Sequence, residues 1–234
     1  MIIKRFISKI KKSQEFYNSI NFHFIYYIVK RLILLVENKT SSYVHPSAII
    51  DKGANIGENS KIWHWVHVSS GATIGKSCTL GQNVFISGKA IIGDNVKIQN
   101  NVSIFDNVKI GNNVFCGPSV VFTNVYNPRA EINRRDEYKN TTVEDGVTLG
   151  ANSTIICGIT LGEYSFIGAG SVVNKNVLPF ALMVGVPAKQ IGWMSAFGDR
   201  ISLNVHSNNE YICPSTGDKY FFKESKLIRI KGLS

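Results

Sequence analysis

The stretch from Ala90 to Cys116 reads AIIGDNVKIQNNVSIFDNVKIGNNVFC, and every sixth position in it points the same way: Ile92, Ile98, Ile104, Ile110 and Cys116 are all apolar. Extended outward, the series starts at Val44, passes Ile50, Ile56, Ile62, Val68, Ile74, Leu80 and Ile86, and reaches Phe122 without a slip. Two positions before its members stand smaller residues, such as Ala90, Val96, Val102, Val108 and Val114. A period of six suits neither an amphipathic helix nor a hairpin meander. An inward pair at positions i−2 and i marks a short strand, and a tight turn must follow. The glycines directly after the inward residue, at Gly57, Gly75, Gly81, Gly93, Gly111 and Gly117, are read as the turn residues that take positive φ most cheaply. Three such units close one triangular coil of 18 residues, and coils stack as parallel strands ~4.8 Å apart. The expected fold is an all-β solenoid.

The register breaks after Phe122 and resumes at Val143, Leu149, Ile155, Leu161, Ile167 and Val173. The polar span 124–142 between them is a loop insertion in a prism that covers 44–178. A long loop inside a strict array is usually functional, and the clean return of the repeat says the coils accommodate it.

The ends of the chain read differently. Of the net charge of +10 on 234 residues, the first 43 carry +6, from eight Lys and Arg against Glu15 and Glu37. This basic helical extension, 1–43, holds two apolar runs split by Lys30 and Arg31, too short and too interrupted to span a bilayer. Two readings stay open for it: a cap on the prism or a partner subunit, or a helix lying on an anionic membrane surface. A cytoplasmic protein is expected, at the inner face of the membrane under the second reading. Residues 179–234 are read as a C-terminal cap, with a short helix from Trp193 to Arg200 and a hairpin from Glu210 to Phe222 turning at Pro214 to Asp218. The four cysteines show no paired spacing, which fits free thiols in a reducing compartment, and no metal site is expected.

The coils, the single loop excursion and the run Gly185-Val-Pro-Ala-Lys189 together resemble the hexapeptide acyltransferases, whose acyl donor is acetyl-CoA. That resemblance implies a left-handed parallel β-helix and a homotrimer with the CoA cleft between subunits. Two further stretches, Phe115 to Arg129 and Ile191 to Gly198, are similar to bacterial N-acetyltransferases that acylate the 3-amino group of nucleotide-linked amino sugars. The likeness points to acceptors of the UDP-2-acetamido-3-amino-2,3-dideoxyglucuronate type, and Cys213-Pro-Ser-Thr-Gly217 is similar to the tail of that group. The implied product would feed lipopolysaccharide or another surface polysaccharide. Alternatives are a dTDP-3-amino-3,6-dideoxyhexose acceptor and O-acetylation of a small saccharide.

Residues 18 apart should share a corner of the prism. Asp106 and Asn124 are so related and stand where the loop departs, which makes them the candidate catalytic pair: Asn124 to orient the amine and thioester, Asp106 to hold the sugar. His64, Gln82 and Asn100 form a second column, read either as substrate contacts or as a polar ladder that satisfies turn backbone. Arg129, Arg134 and Arg135 in the loop suit a diphosphate or a uronate carboxylate. The amides of Gly150-Ala151 and Gly168-Ala169 suit the thioester oxygen, and by resemblance Lys189 meets a CoA phosphate. The histidines are His23, His45, His64, His67 and His206. None lies in the loop, where many relatives carry a general base. A sugar amine with a pKa of about 8 is partly neutral near pH 7 and needs no base, whereas a hydroxyl does. The pattern favours N- over O-acetylation. A nucleic-acid partner is not expected, since the positive charge is concentrated in the first 43 residues and no recognition motif accompanies it. A zinc carbonic anhydrase of this fold would need a third prism histidine downstream of His64 and His67.

Overall fold

Two-residue strands dominate the chain, which a computed structural model describes over residues 42–203, 209–224 and 226–232. The expectations for residues 1–41, helical extension and membrane contact included, lie outside the described residues. The strands line up in three parallel sheets. Sheet A begins Tyr43–Val44, Lys61–Ile62, Thr79–Leu80, Lys97–Ile98 and Phe115–Cys116. Sheet B runs from Ile49–Ile50 to Val172–Val173, and sheet C from Asn55–Ile56 to Thr160–Leu161. Successive coils pair 18 residues apart, as Lys61 with Thr79 and Thr79 with Lys97. The result is a left-handed parallel β-helix of about eight turns. The inward series forms its core: Ile62, Leu80, Ile86, Ile98, Ile104 and Leu149 are fully buried. Each contributes roughly 1.5–3 kcal/mol relative to staying exposed.

The turns correct one expectation. The glycines after the inward residue do not carry the positive φ; that conformation falls two residues later, on Asn59, Asn83, Asn95, Asn101, Asn107, Asn113 and Asn152. Asparagine tolerates the left-handed region. The glycines serve close approach instead. A Cβ on Gly57 would stand 2.5 Å from the Gly75 carbonyl carbon, and one on Gly75 would stand 2.5 Å from that of Gly93. Coils stack tightly only because nothing projects there.

At the loop, Val108 pairs with Thr141, 33 residues on, where the earlier coils advance 18, so fifteen residues are extra. Strand Thr141–Val143 begins inside the span 124–142 that the sequence assigns to the loop. The neck is closed by the Lys139 N–H, which donates to the Asn124 carbonyl at 2.9 Å. A 3-10 turn at Arg135–Glu137 shapes the tip.

Beyond the last coil, sheet A continues through Ala181–Val184, parallel to Phe166–Ile167, and then turns antiparallel through Lys189–Met194 and Arg200–Ile201. The helix expected from Trp193 to Arg200 is therefore strand and turn. Trp193 is buried with its ring 5.3 Å from that of Phe222, and this packing overrides local helical preference. The hairpin is present, Tyr211–Ile212 against Lys219–Lys223, and a third strand, Lys226–Ile230, completes it. This small sheet docks through Tyr220, whose ring meets Phe180 edge-on and whose hydroxyl accepts the Ala196 N–H at 2.8 Å. Buried Asp218 pairs with Arg229 at 2.7 Å, and the Arg229 guanidinium lies over the Tyr164 ring.

Candidate active site

Between sheets A and B the turns align in one column along the prism. From early to late coils it reads His64, Gln82, Asn100, Pro118, Ala151 and Ala169. Its two halves behave differently. In the early half, the side chain of one coil serves the backbone of the coil before it: the Asn100 amide oxygen accepts the Gln82 N–H at 2.9 Å. The ladder expected as one reading of this column is therefore real, and it stops at Asn100. Pro118, one coil on, has no side-chain oxygen, and neither have Ala151 and Ala169.

That bare half would let an elongated molecule lie against main chain, and it changes which amides are available. The N–H groups of Gly150 and Gly168 donate to the carbonyls of Ile167 and Met183, both at 2.8 Å. They belong to the sheet ladder and are not free donors for a thioester oxygen, which corrects half of that expectation. The amides of Ala151 and Ala169 stand on the turn, and no side-chain acceptor follows Ala151 in the next coil. A Cβ on Gly150 would meet the Ala169 nitrogen at 2.5 Å, so the ridge depends on glycine. Lys189 is exposed on the strand past the last coil.

The early half opens into a cleft of about 330 Å³ lined by Trp63, His64, Thr79, Gln82, Gln99 and Asn100 among others. Sequence reasoning named three of these residues and missed Trp63, Thr79 and Gln99. The missed positions sit on columns next to the one examined, and the same arithmetic of 18 would have found them. His64 is flanked by His45, their rings 3.6 Å apart and stacked.

Asp106 and Asn124 lie on the other edge of sheet B, at the B–C corner, on adjacent coils as Ser103 and Val121 pair. Their side chains part company. The Asp106 carboxylate accepts a short hydrogen bond from the Ser87 hydroxyl and one from the Lys89 N–H at 3.2 Å, both on the preceding coil. Asn124 is half-buried at the loop neck. Among the three loop arginines, Arg134 is spent on Glu137 through a paired contact at 2.8 and 2.9 Å, while Arg129 and Arg135 are exposed. His67 pairs with Asp51 at 3.2 Å on the first coils, far along the prism from the loop. All four cysteines are free and buried, and burial pushes the Cys116 thiol up to about 12. No three His, Cys, Asp or Glu side chains gather as metal ligands among the described residues, and none of the helices there is long and apolar enough to cross a membrane.

Comparison with known proteins agrees with this architecture. Residues 53–88 and 140–175 match the bacterial transferase hexapeptide family (six repeats), and residues 71–106 match the hexapeptide repeat of succinyl-transferase. Over 182 residues the chain is 36% identical to dTDP-3-amino-3,6-dideoxy-alpha-D-galactopyranose 3-N-acetyltransferase of Aneurinibacillus thermoaerophilus, spanning 78% of this chain and 92% of that one. A shorter likeness, 42% over 64 residues, covers 26% of this chain and 14% of the bifunctional protein GlmU of Rubrobacter xylanophilus. Among solved structures, a hexapeptide-repeat acetyltransferase of Vibrio cholerae complexed with acetyl coenzyme A aligns at 30% identity and TM-score 0.41, over 49% of this chain and 69% of that one.

Proposed function

Because the chain belongs to the hexapeptide-repeat acetyltransferases, we propose that it moves acetyl from acetyl-CoA to the 3-amino group of a UDP-2-acetamido-3-amino-2,3-dideoxyglucuronate-type sugar. At the coarser level it is an acetyl-CoA-dependent N-acetyltransferase acting on nucleotide-linked amino sugars. The observation that carries the reading is the division of the A–B corner. Its late half is bare enough for pantetheine to lie on main chain, with Ala151 and Ala169 presenting turn amides. Its early half carries the side chains that an acceptor needs. The two would meet near Pro118.

The loop that bears Asn124 leaves from the opposite edge of sheet B, so one chain does not bring it to this corner. A neighbouring copy in a homotrimer would supply it, and the site would then be shared between subunits. In that arrangement Asn124 holds the amine against the thioester carbonyl. The amine attacks as its neutral form, the thiolate leaves, and the ammonium proton passes to that thiolate or to water. Positioning then supplies much of the rate. Asp106 is held by Ser87 and Lys89, so its part is to fix the corner from which the loop springs. Arg129 and Arg135 suit the uronate carboxylate, while Arg134 braces the loop through Glu137. Lys189 suits a CoA phosphate as a point charge. A dTDP-3-amino-3,6-dideoxyhexose acceptor is the second reading, favoured by the name of the 36% identical relative.

Thiol release from acetyl-CoA with the UDP-uronate and dTDP-deoxyhexose amines in parallel tests both. Turnover of the first alone is expected; turnover of the second alone would replace the acceptor, and turnover of neither would overturn the function. Asn124→Ala should lower kcat/KM about 100-fold, ~2.7 kcal/mol, and undiminished efficiency would remove its role.

A further inference from the structure

We propose that the cleft over the first coils of the A–B corner seats the pyrimidine base of the acceptor nucleotide, with Trp63 as its stacking surface and the Gln99 amide reading its edge. The placement rests on the nucleotide-sugar reading above. Three observations lead to it. First, the cleft is uncharged at physiological pH apart from its histidine: it combines an exposed indole, Trp63, with the amides of Gln82, Gln99 and Asn100. Side-chain amides offer both a donor and an acceptor, which matches the alternating carbonyl, N–H and carbonyl edge shared by uracil and thymine. A planar neutral heterocycle suits such a lining and a diphosphate does not.

Second, cations stand beside the cleft rather than in it. Thr79, on its wall, pairs with Lys61 on one side and Lys97 on the other along the outer face of sheet A, and both lysines are exposed. A ligand with a neutral ring and an attached anion fits that layout.

Third, the aromatic cluster at this end is held in an unfavourable backbone without packing return. Trp65 takes φ +53°, at the position where later coils use Asn83 and Asn101. The left-handed region is costly for a bulky residue. Tyr164 and Phe180 share that geometry, but their rings stack on each other 5.5 Å apart and Phe180 supports Tyr220. Trp65 instead stays 60% exposed, with His64 at 5.9 Å. The strain keeps aromatic surface beside the cleft mouth. From the middle of the cleft, at Gln82, to Pro118 is two coils, about 10 Å at the usual strand spacing, so a base seated here points its sugar toward the bare half.

The test is calorimetric titration of the full-length protein with UDP and with dTDP, alongside steady-state kinetics, for wild type, Trp63→Ala, Trp63→Phe and Gln99→Leu. Trp63→Ala should weaken nucleotide binding about tenfold and Trp63→Phe by less than about threefold, as expected for stacking. Gln99→Leu should weaken it roughly fivefold, with the acetyl-CoA KM unchanged for all variants. Melting temperatures confirm that each variant is folded. A Trp63→Ala protein that binds nucleotide like wild type, or one whose acetyl-CoA KM rises instead, overturns the placement while leaving the reaction standing. A wild type that binds neither nucleotide overturns the placement, and if it also turns over neither acceptor the function falls with it.

Discussion

The A–B corner carries side chains from His64 to Asn100 and almost none from Pro118 to Ala169, although the coils beneath are built to one plan. In the early half, an amide side chain caps the turn of the coil before it, as Asn100 caps Gln82 at 2.9 Å. In the late half that cap is gone and the glycine ridge lies open. A structural repeat alone would keep the ladder running, since each cap satisfies a backbone donor. The loss of caps beyond Asn100 is thus better explained by a ligand that needs the backbone. The halves also differ in support: the late one continues into the C-terminal strands and their docked sheet.

The largest effect should come from that support. Asp218→Asn leaves the Arg229 guanidinium without its partner and should destabilise the protein by on the order of 3 kcal/mol, read as a lower denaturant midpoint. The Gly232 N–H foremost, with Arg229, holds the Asp218 carboxyl below its ordinary range against the opposing effect of burial. A folded-state pKa below the unfolded one stabilises the protein above the unfolded value, about 3.9, and that stability is lost as pH falls through the folded value. Melting curves should therefore show a shallower acid limb below about pH 4 in the variant. An unchanged acid limb would mean the pair does not hold the cap. Next in size, Ala169→Trp fills the exposed bare turn and should cut kcat/KM for acetyl-CoA about 100-fold, ~2.7 kcal/mol, with UDP binding unaltered. Equal loss on both substrates would erase the distinction between the halves.

How much of this the sequence discloses depends on which force sets each feature. The inward series from Val44 to Phe122 is legible because closing a triangular coil leaves one apolar position per strand end, and nothing else competes for it. The site of positive φ is not, because two turn positions both favour small residues: Gly57 and Gly75 are small for close stacking, Asn59 and Asn95 for conformation. The stretch Trp193 to Arg200 reads as helix because no alternation marks it, and only the contact of Trp193 with Phe222, 29 residues on, makes it strand. At the site, arithmetic of 18 finds the column of His64, Gln82 and Asn100 and the corner shared by Asp106 and Asn124. It does not show that the amides of Gly150 and Gly168 are consumed by the ladder, nor that Arg134 turns to Glu137. Those depend on which direction a group points within its turn.

The smallest effect isolates the ladder itself. Asn100→Ala removes the acceptor of the Gln82 N–H on an exposed turn, where water replaces it, so the cost should be only about 1 kcal/mol. Nucleotide affinity should fall a few-fold, roughly as one lost hydrogen bond predicts, because Asn100 also lines the cleft. The acetyl-CoA KM should hold, since the bare half begins one coil later. The comparison sharpens if Pro118→Ala, on the other side of the divide, gives the mirror result, with a raised acetyl-CoA KM and unchanged nucleotide affinity. If instead Asn100→Ala raises the acetyl-CoA KM, the divide lies at least one coil earlier than Pro118 and the caps at Gln82 and Asn100 belong to the donor's half.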